Sequence, residues 1–577
     1  MLPRFRSSWV PLAAIVVLAA ILRSSHLSDL SFWFDESFCW KMATFDRRTA
    51  LDNHPPLYFY LLWFWQRACG DSPGATRSLS VVCGLGTVVG AYLLARQIQC
   101  KTQNAKCPGA PGQNDASELA GLLAAALVAL SPFQIDWSQQ VRMYALGACL
   151  TLVSSWLLLR ALAPARPRWQ DFAWYTLAAT ALAYTHYFGL FVLAGQFLYA
   201  VGAALLSGGE PGQTQPRAAV PQAAGQCKTQ NVKCKTQNDA SGSVLDSEDT
   251  DPKAQNLRPK TLRANPKLLP VLAAFLAVGT LWSPWLPVFL RHRRKVIGLF
   301  WSDKFTWEQV AKACLEMFGV TWRDPLPDTT VVWGAALACL VLAVGMAVFG
   351  RNALRLCGVI VLTTFGGAIA ASLWERNIIV GRYFLFANAL LLCGVAMAVS
   401  RIRSSGLRRA VVAALLIGAA WSGSRYEQRR EEWAAKPGLA AAMAYLADSW
   451  TPGEPVVVAS PLVQVTADSH MLERIPVHVL HEGSDLPFFL GTAVMRDAEY
   501  ISPTALASSP AEKAWVLDAV NWVGGTWTVR LPDPWVDVAE ETFPEWFSPN
   551  CQIVVRRCQK RPGAARGGER PVMRSTR

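Results

Sequence analysis

Pro55-Pro56-Leu57-Tyr58-Phe59-Tyr60-Leu61-Leu62-Trp63-Phe64-Trp65 is the stretch on which the reading of the whole chain turns. It is wholly apolar or aromatic, so it belongs in or against a membrane. A helix of about 11 residues is nevertheless too short to cross a hydrocarbon core, which needs about 20. The two prolines after His54 end a loop and open a helix, where a missing N–H does no harm. The segment therefore reads as an interfacial or re-entrant helix. Counted as a span, it would reverse the sidedness of everything after it.

The rest of the chain supports that reading. Of 577 residues, 52% are hydrophobic and 17% charged, where a soluble protein carries about 25% charge. The apolar residues fall in blocks of membrane-crossing length. We read eleven spans, at about 9–24, 77–96, 118–133, 142–160, 171–185, 187–206, 267–286, 331–350, 354–373, 382–400 and 408–423. The first has Arg4 and Arg6 before it and no convincing small-x-small cleavage site after it, so it reads as an uncleaved helix rather than a signal peptide. With the N-terminus inside, the inside connections carry Arg96, Lys101 and Lys106, then Arg160, Arg166 and Arg168, then Lys228, Lys233 and Lys235, then Arg351 and Arg355, and finally Arg401, Arg403, Arg408 and Arg409. That is the bias of cytoplasmic loops. The outside connections are 25–76, 134–141, 186, 287–330, 374–381 and the C-terminal region. This distribution accounts for the net charge of +14 without nucleic acid. One outside cluster, Arg291-His292-Arg293-Arg294-Lys295, breaks the bias; an anionic ligand or lipid headgroups would explain it.

Two polar segments look inserted. Cys100-Lys-Thr-Gln-Asn-Ala-Lys-Cys107 recurs as Cys227-Lys-Thr-Gln-Asn-Val-Lys-Cys234, too short and polar a unit for a solenoid. The inside insertions are 97–117 and 207–266, the longer one of disordered composition. Their cysteine gaps exceed zinc-ligand spacing and lack a nearby His. The division expected is a membrane domain over 1–424, a small α/β domain outside the membrane over 425–560, and a basic disordered tail over 561–577. The α/β reading rests on β-rich runs at 455–460, 476–480, 514–517, 527–531 and 552–556, after a helical stretch at 438–450. Cys551 and Cys558 could pair there in an oxidising compartment.

The chemistry-bearing residues gather on the outside loops. The first loop holds Phe32-Trp33-Phe34-Asp35-Glu36-Ser37-Phe38 and Asn53-His54-Pro55-Pro56. Asp35 there could take a proton from an attacking hydroxyl, with Glu36 supporting it; the alternative is a pair of solvated loop acids. The next outside stretch is Ser131-Pro-Phe-Gln-Ile-Asp-Trp-Ser-Gln-Gln-Val-Arg142-Met143-Tyr144, where Arg142 can face an anion or snorkel to headgroups. Tyr184-Thr185-His186-Tyr187-Phe188-Gly189 is a tight hairpin on the same side. Gly381-Arg382-Tyr383 closes another. Features far apart in the chain thus converge on one membrane face.

In type and order these motifs resemble the glycosyltransferase C (GT-C) superfamily. The likeness is to the dolichyl-phosphate-mannose protein mannosyltransferase-like and aminoarabinose-transferase-like enzymes. It covers about residues 9–400 and rests on Asp35-Glu36, His54-Pro55-Pro56-Leu57-Tyr58, Arg77-Ser78-Leu79-Ser80 and Gln139-x-x-Arg142-x-Tyr144. The resemblance implies a polyprenyl-phosphate sugar donor, reaction on the outer face, and Asp35 as the catalytic residue. It implies basic residues of later loops on the donor phosphate, with Arg382 before Tyr383 at a position of that kind. This chain has Gln140 where the family often has an acid, and Ala387-Asn388 where a proline is usual.

The expectation is an α-helical polytopic membrane protein of GT-C type, with about 11 transmembrane helices. It would be a multi-pass protein of the cell membrane, with its active site and C-terminal domain extracytoplasmic, acting on an unknown acceptor. Asp35 and Glu36 are the catalytic candidates. His54, Arg142, Tyr144, His186, Arg382 and Tyr383 would line the substrate site, with Arg291, Arg293, Arg294 and Lys295 as a weaker phosphate-binding group. No cofactor is required, although a divalent cation could assist the leaving phosphate. A transporter or flippase is the rival class, but no repeat runs through the spans and the polar residues lie at one face rather than mid-bilayer. A non-catalytic assembly subunit that keeps the fold is a second rival.

Overall fold

The computed structural model of the chain describes residues 6–44, 54–104, 113–164, 167–206, 266–299, 304–321, 323–324, 326–350, 353–471, 475–482, 486–487, 490–522, 525–548 and 550–561. The insertion at 207–265, residues 105–112 of the first repeated segment and the tail from 562 lie outside the described residues.

Helix α1 (Arg6–Ser24) leads into two short helices, α2 (Phe34–Thr44) and α3 (Leu57–Cys69). There follow α4 (Pro73–Asn104), α5 (Gln113–Leu130), α6 (Pro132–Ser138), α7 (Tyr144–Ala161), α8 (Trp169–Ala183) and α9 (Phe188–Leu206). After the longer insertion come α10 (Leu268–Trp282), α11 (Leu286–Leu299), α12 (Trp307–Glu316), α13 (Thr329–Phe349), α14 (Ala353–Trp374), α15 (Leu385–Ser400) and α16 (Ser405–Ala434). Among the described residues, seven stretches are long and apolar enough to cross a membrane: Pro73–Gln99, Tyr144–Ala161, Phe188–Leu206, Leu268–Arg294, Thr329–Phe349, Ala353–Trp374 and Gly381–Ser400. The bent pair Ala116–Leu130 and Pro132–Ser138 makes an eighth if taken as one span. The remaining spans read from the sequence, at 9–24, 171–185 and 408–423, are helical too, but shorter or more polar.

Exposed apolar side chains such as Leu269, Leu276, Leu337, Leu340, Ile417 and Trp421 face outward, as a bilayer solvent permits. The bundle centre is α15, enclosed by α4, α5, α7 and α14. Helix α3 has 13 residues, about 20 Å of rise. It buries Tyr58, Phe59 and Leu62 against its neighbours and is not among the helices long and apolar enough to cross a membrane.

The bend between α5 and α6, 61°, has a local cause. Pro132 has no N–H and cannot bond the carbonyl four residues back. Arg23 of α1, fully buried, donates instead to the carbonyls of Val128 and Ala129, each at 2.9 Å. The Ser131 hydroxyl caps α6 by accepting from the Gln134 N–H at 3.4 Å. The chain therefore turns within the bundle without leaving those carbonyls unpaired.

Beyond α16 lies a second layer: α17 (Gly438–Ser449), β1 (Val456–Val458), α18 (Pro461–Met471), β2 (Val477–Leu480), β3 (Tyr500–Ile501), α19 (Pro503–Ala507), β4 (Lys513–Trp522), β5 (Gly525–Trp527), β6 (Trp535–Pro544) and β7 (Gln552–Lys560). The strands form one sheet in the order β3-β2-β1-β4-β7-β6, with β5 on β4. Strands β1 to β4 pair in parallel and β7 and β6 antiparallel. The α/β character matches the sequence reading, while β3 and β6 were not legible in it. Of the run at 527–531, only Trp527 is in a strand. Cys551 and Cys558 are not bonded: both are buried free thiols, and Cys558 sits in β7 with its thiol on Asp537.

This domain is fastened to α2. The Lys41 ammonium, almost wholly buried, donates to Asp468 at 2.7 Å, Glu499 at 2.8 Å and Gln464 at 3.1 Å. The Ser37 and Ser469 hydroxyls meet at 2.9 Å, and Trp33 stacks on Phe547.

Candidate functional site

The aromatic run before α2 is buried, and the helix begins at Phe34, so Asp35 and Glu36 both sit in its first turn. Carboxylates there meet the positive end of the helix dipole, but successive helix residues point to different sides. Glu36 turns inward. Its oxygens receive Arg77 Nε at 2.8 Å, Arg77 Nη2 at 2.7 Å and the Val141 N–H at 2.9 Å. Arg77, at the start of α4, also donates to the carbonyls of Leu27, Leu30 and Ser31. Glu36 is thus saturated within a buried clamp that shapes the loop.

Asp35 turns the other way and is partly exposed. Arg142 Nη2 stands 3.6 Å and Arg382 Nη2 3.7 Å from its Oδ2. These separations give ion pairs but are longer than good hydrogen bonds. Both guanidiniums also reach the Tyr144 hydroxyl, Arg142 Nη2 at 3.4 Å and Arg382 Nε at 3.1 Å. Arg142 is buried and its Nε has no hydrogen-bond partner. The Arg382 guanidinium lies near the Trp33 and Trp137 rings, at 5.9 and 6.0 Å. Two cations in an aromatic setting therefore converge on one carboxylate.

The hairpin between α8 and α9 forms the adjoining wall. His186 packs on Tyr383 at 4.8 Å and Tyr144 at 5.6 Å between ring centres, and His54 stands 5.9 Å away. The Leu57 N–H donates to the Tyr184 carbonyl at 3.0 Å, which ties the start of α3 to the hairpin. His186 Nδ1 accepts from the Phe188 N–H, so the neutral ring carries its proton on Nε2. Burial, His54 and the two arginines push this imidazole well below its ordinary value.

The structure thus brings together Asp35, His54, Arg142, Tyr144, His186, Arg382 and Tyr383. Glu36 is adjacent but faces away. Arg291, Arg293 and Arg294 are exposed on α11, and Lys295 follows on the same helix. Arg293 pairs with Glu375. The helix joins the site wall through His292, which shares a 2.9 Å hydrogen bond with Tyr187.

Three neighbours were not picked out from the sequence. Trp137 and Asp136 lie inside a quoted motif. Asp136 is buried, accepting from Tyr426 at 3.0 Å and pairing with Arg323 at 3.4 Å. Glu316, the last residue of α12, presses its carboxyl group on Gly381, next to Arg382. The capping box that starts α12, Thr306-Trp307-Glu308-Gln309, was the available signal for that helix.

Among the described residues no group of three or more His, Cys, Asp or Glu side chains could hold a metal ion. Asp35, Asp136 and Glu316 each face an arginine instead. This set of groups suits an anion better than a divalent cation.

The chain, with its helical bundle and C-terminal sheet domain, is similar in fold to a protein of solved structure. ArnT from Cupriavidus metallidurans, in a crystal structure bound to undecaprenyl phosphate, aligns over 96% of this chain and 98% of its own, with a TM-score of 0.52 and 12% identity. Its apo structure aligns with a TM-score of 0.49 and 11% identity, over 95% and 97%. The archaeal oligosaccharyltransferase AglB from Archaeoglobus fulgidus aligns over 81% of this chain and 64% of its own, at 0.41 and 12%. At 12% identity the likeness to the first of these structures is one of fold. No protein-family model and no curated protein sequence matches the chain.

Proposed function

We propose that this protein is a glycosyltransferase that moves a sugar from a polyprenyl-phosphate donor to a hydroxyl acceptor at the outer face of the membrane. The observation that carries the reading is the pair of guanidiniums, Arg142 and Arg382, converging on Asp35 at 3.6 and 3.7 Å. Guanidiniums are suited to phosphate oxygens, and the loose contact to Asp35 leaves them available. The ArnT structure with the same fold was solved with undecaprenyl phosphate, and a phosphate on a long lipid is the donor class that a site at a bundle end can receive.

The donor phosphodiester takes over the two guanidiniums. Asp35, released from them, accepts the proton of the acceptor hydroxyl as its oxygen attacks the anomeric carbon. The bond from that carbon to the phosphate oxygen breaks, and polyprenyl phosphate leaves with one further negative charge held by the arginines. Attack opposite the leaving group inverts the anomeric centre. Asp35 acts here as the carboxylate, with the acceptor proton passing to one of its oxygens. The Tyr144 hydroxyl holds both guanidiniums, and His186 packs on the Tyr144 and Tyr383 rings beside it.

The test is turnover of a labelled polyprenyl-phosphate sugar by the purified protein in lipid. Arg382→Ala removes a charge-assisted contact of about 1.5–3 kcal/mol. The donor KM is expected to rise at least about tenfold at matched expression. An unchanged KM would contradict the assignment.

A further inference from the structure

Glu316 ends α12, a helix fixed at both ends. At its start Thr306 and Gln309 cap each other, at 2.8 and 3.4 Å. At its end the Met317 carbonyl accepts from Asn388 Nδ2 at 3.0 Å and the Gly319 carbonyl from Arg429 Nη2 at 3.2 Å. The carboxyl group has little freedom to move. It lies flat on Gly381, where an added methyl group would overlap both of its oxygens. The next residue is Arg382.

The charged groups that face Glu316 are Arg382 on the 381–384 turn, Asp136 on α6, and Arg323 on the segment after α12. Arg382 is turned to Tyr144 and Asp35. Arg323 is turned to Asp136 and lies against the Trp433 and Trp546 rings. Among the described residues, no hydrogen bond or ion pair reaches the Glu316 carboxyl. Burial, together with Asp136, outweighs the two arginines and pushes it up to about 8.

We infer that Glu316 is the proton-carrying partner of the donor phosphate: it stands beside Arg382 as a neutral acid when the phosphate is bound, so donor binding takes up a proton. The inference rests on the polyprenyl-phosphate reading above. An ionised carboxylate beside a bound phosphodiester would set two anions in one low-dielectric pocket. The neutral acid removes that repulsion. By linkage, the affinity is then full at low pH. It falls as pH rises through the carboxyl's value, by at most about tenfold per pH unit for one proton.

The probe is a polyprenyl methyl phosphate, a diester whose single charge stays constant between pH 5.5 and 9.5, titrated into the full-length protein in lipid nanodiscs. Binding is read by tryptophan fluorescence, since Trp33 and Trp137 flank Arg382. It is also read by calorimetry at pH 8 in buffers of different ionisation enthalpy. For the wild type, affinity is expected to be level to about pH 7 and to fall above 8, with net proton uptake at pH 8. Glu316→Gln should bind comparably at low pH, keep that affinity to pH 9 and take up no proton. Zero uptake by the wild type at pH 8 would overturn the inference even if the variant failed to fold. So would parallel pH profiles for the two proteins. If the wild type bound no diester at any pH, the functional reading itself would fall and this inference with it.

Discussion

Asp35 and Glu36 are chain neighbours with the same functional group, and the fold gives them different surroundings. Glu36 spends its oxygens on Arg77 and the Val141 N–H in a buried clamp, while Asp35 keeps loose contact with two arginines. Glu36→Gln should therefore act on stability. Breaking a buried pair costs about 3–5 kcal/mol, so the yield of inserted protein and its melting temperature should drop. The donor KM of the surviving folded fraction should stay within a few-fold, as measured by thermal shift and turnover on the same preparation. Asp35, Arg142, His186 and Arg382 were legible in the sequence because each lies in an ordered motif at the mouth of a span. Glu316 was not: a single acid in a loop read for its basic cluster gives no signal until α12 and Gly381 are in place. The different roles of Asp35 and Glu36 were equally hidden, since they depend on which side of α2 faces Arg77.

At the scale of elements, the broken helix α5–α6 leads directly into the segment that carries Arg142. Its stability depends on Arg23, a residue the sequence shows only as a basic flank to the first span. Arg23→Met keeps the bulk but leaves the Val128 and Ala129 carbonyls without that donor. Each unsatisfied buried acceptor costs about 1–3 kcal/mol. Lower thermal stability is expected, together with loss of transfer, because α6 and the Arg142 segment would shift. An unaffected melting temperature would show that the bend needs no such support. The apolar helices were legible because burial in lipid enforces long uniform runs, and α3 because it falls short of one. Strand β6 was hidden for the opposite reason. It is the sheet edge, and after the buried Trp535 most of its side chains are exposed on both faces. The alternation that marks a half-buried strand is therefore missing.

For the whole molecule, the sheet domain holds the helix that carries Asp35. Lys41 sits in that helix and buries its charge among Asp468, Glu499 and Gln464. Lys41→Met would leave two carboxylates facing each other across the domain contact, a cost on the order of a few kcal/mol. Protease sensitivity after α16 should increase and turnover should fall, although Asp468, Glu499 and Gln464 lie outside the proposed site. Full turnover with an intact domain contact would show that α2 is held by the bundle alone. The composition of 425–560 pointed to an α/β domain. Its docking on α2 was not readable, because the partners of Lys41 come from segments more than 400 residues away.

The central claim is that Asp35 serves as the base in sugar transfer from a polyprenyl phosphate. The direct measurement is turnover of a labelled polyprenyl-phosphate sugar in membranes holding matched amounts of wild type and Asp35→Asn. An amide keeps the shape but cannot take the proton, so a loss of about 100-fold or more is expected, with the variant inserted and folded. Transfer by Asp35→Asn at the wild-type rate would contradict the account.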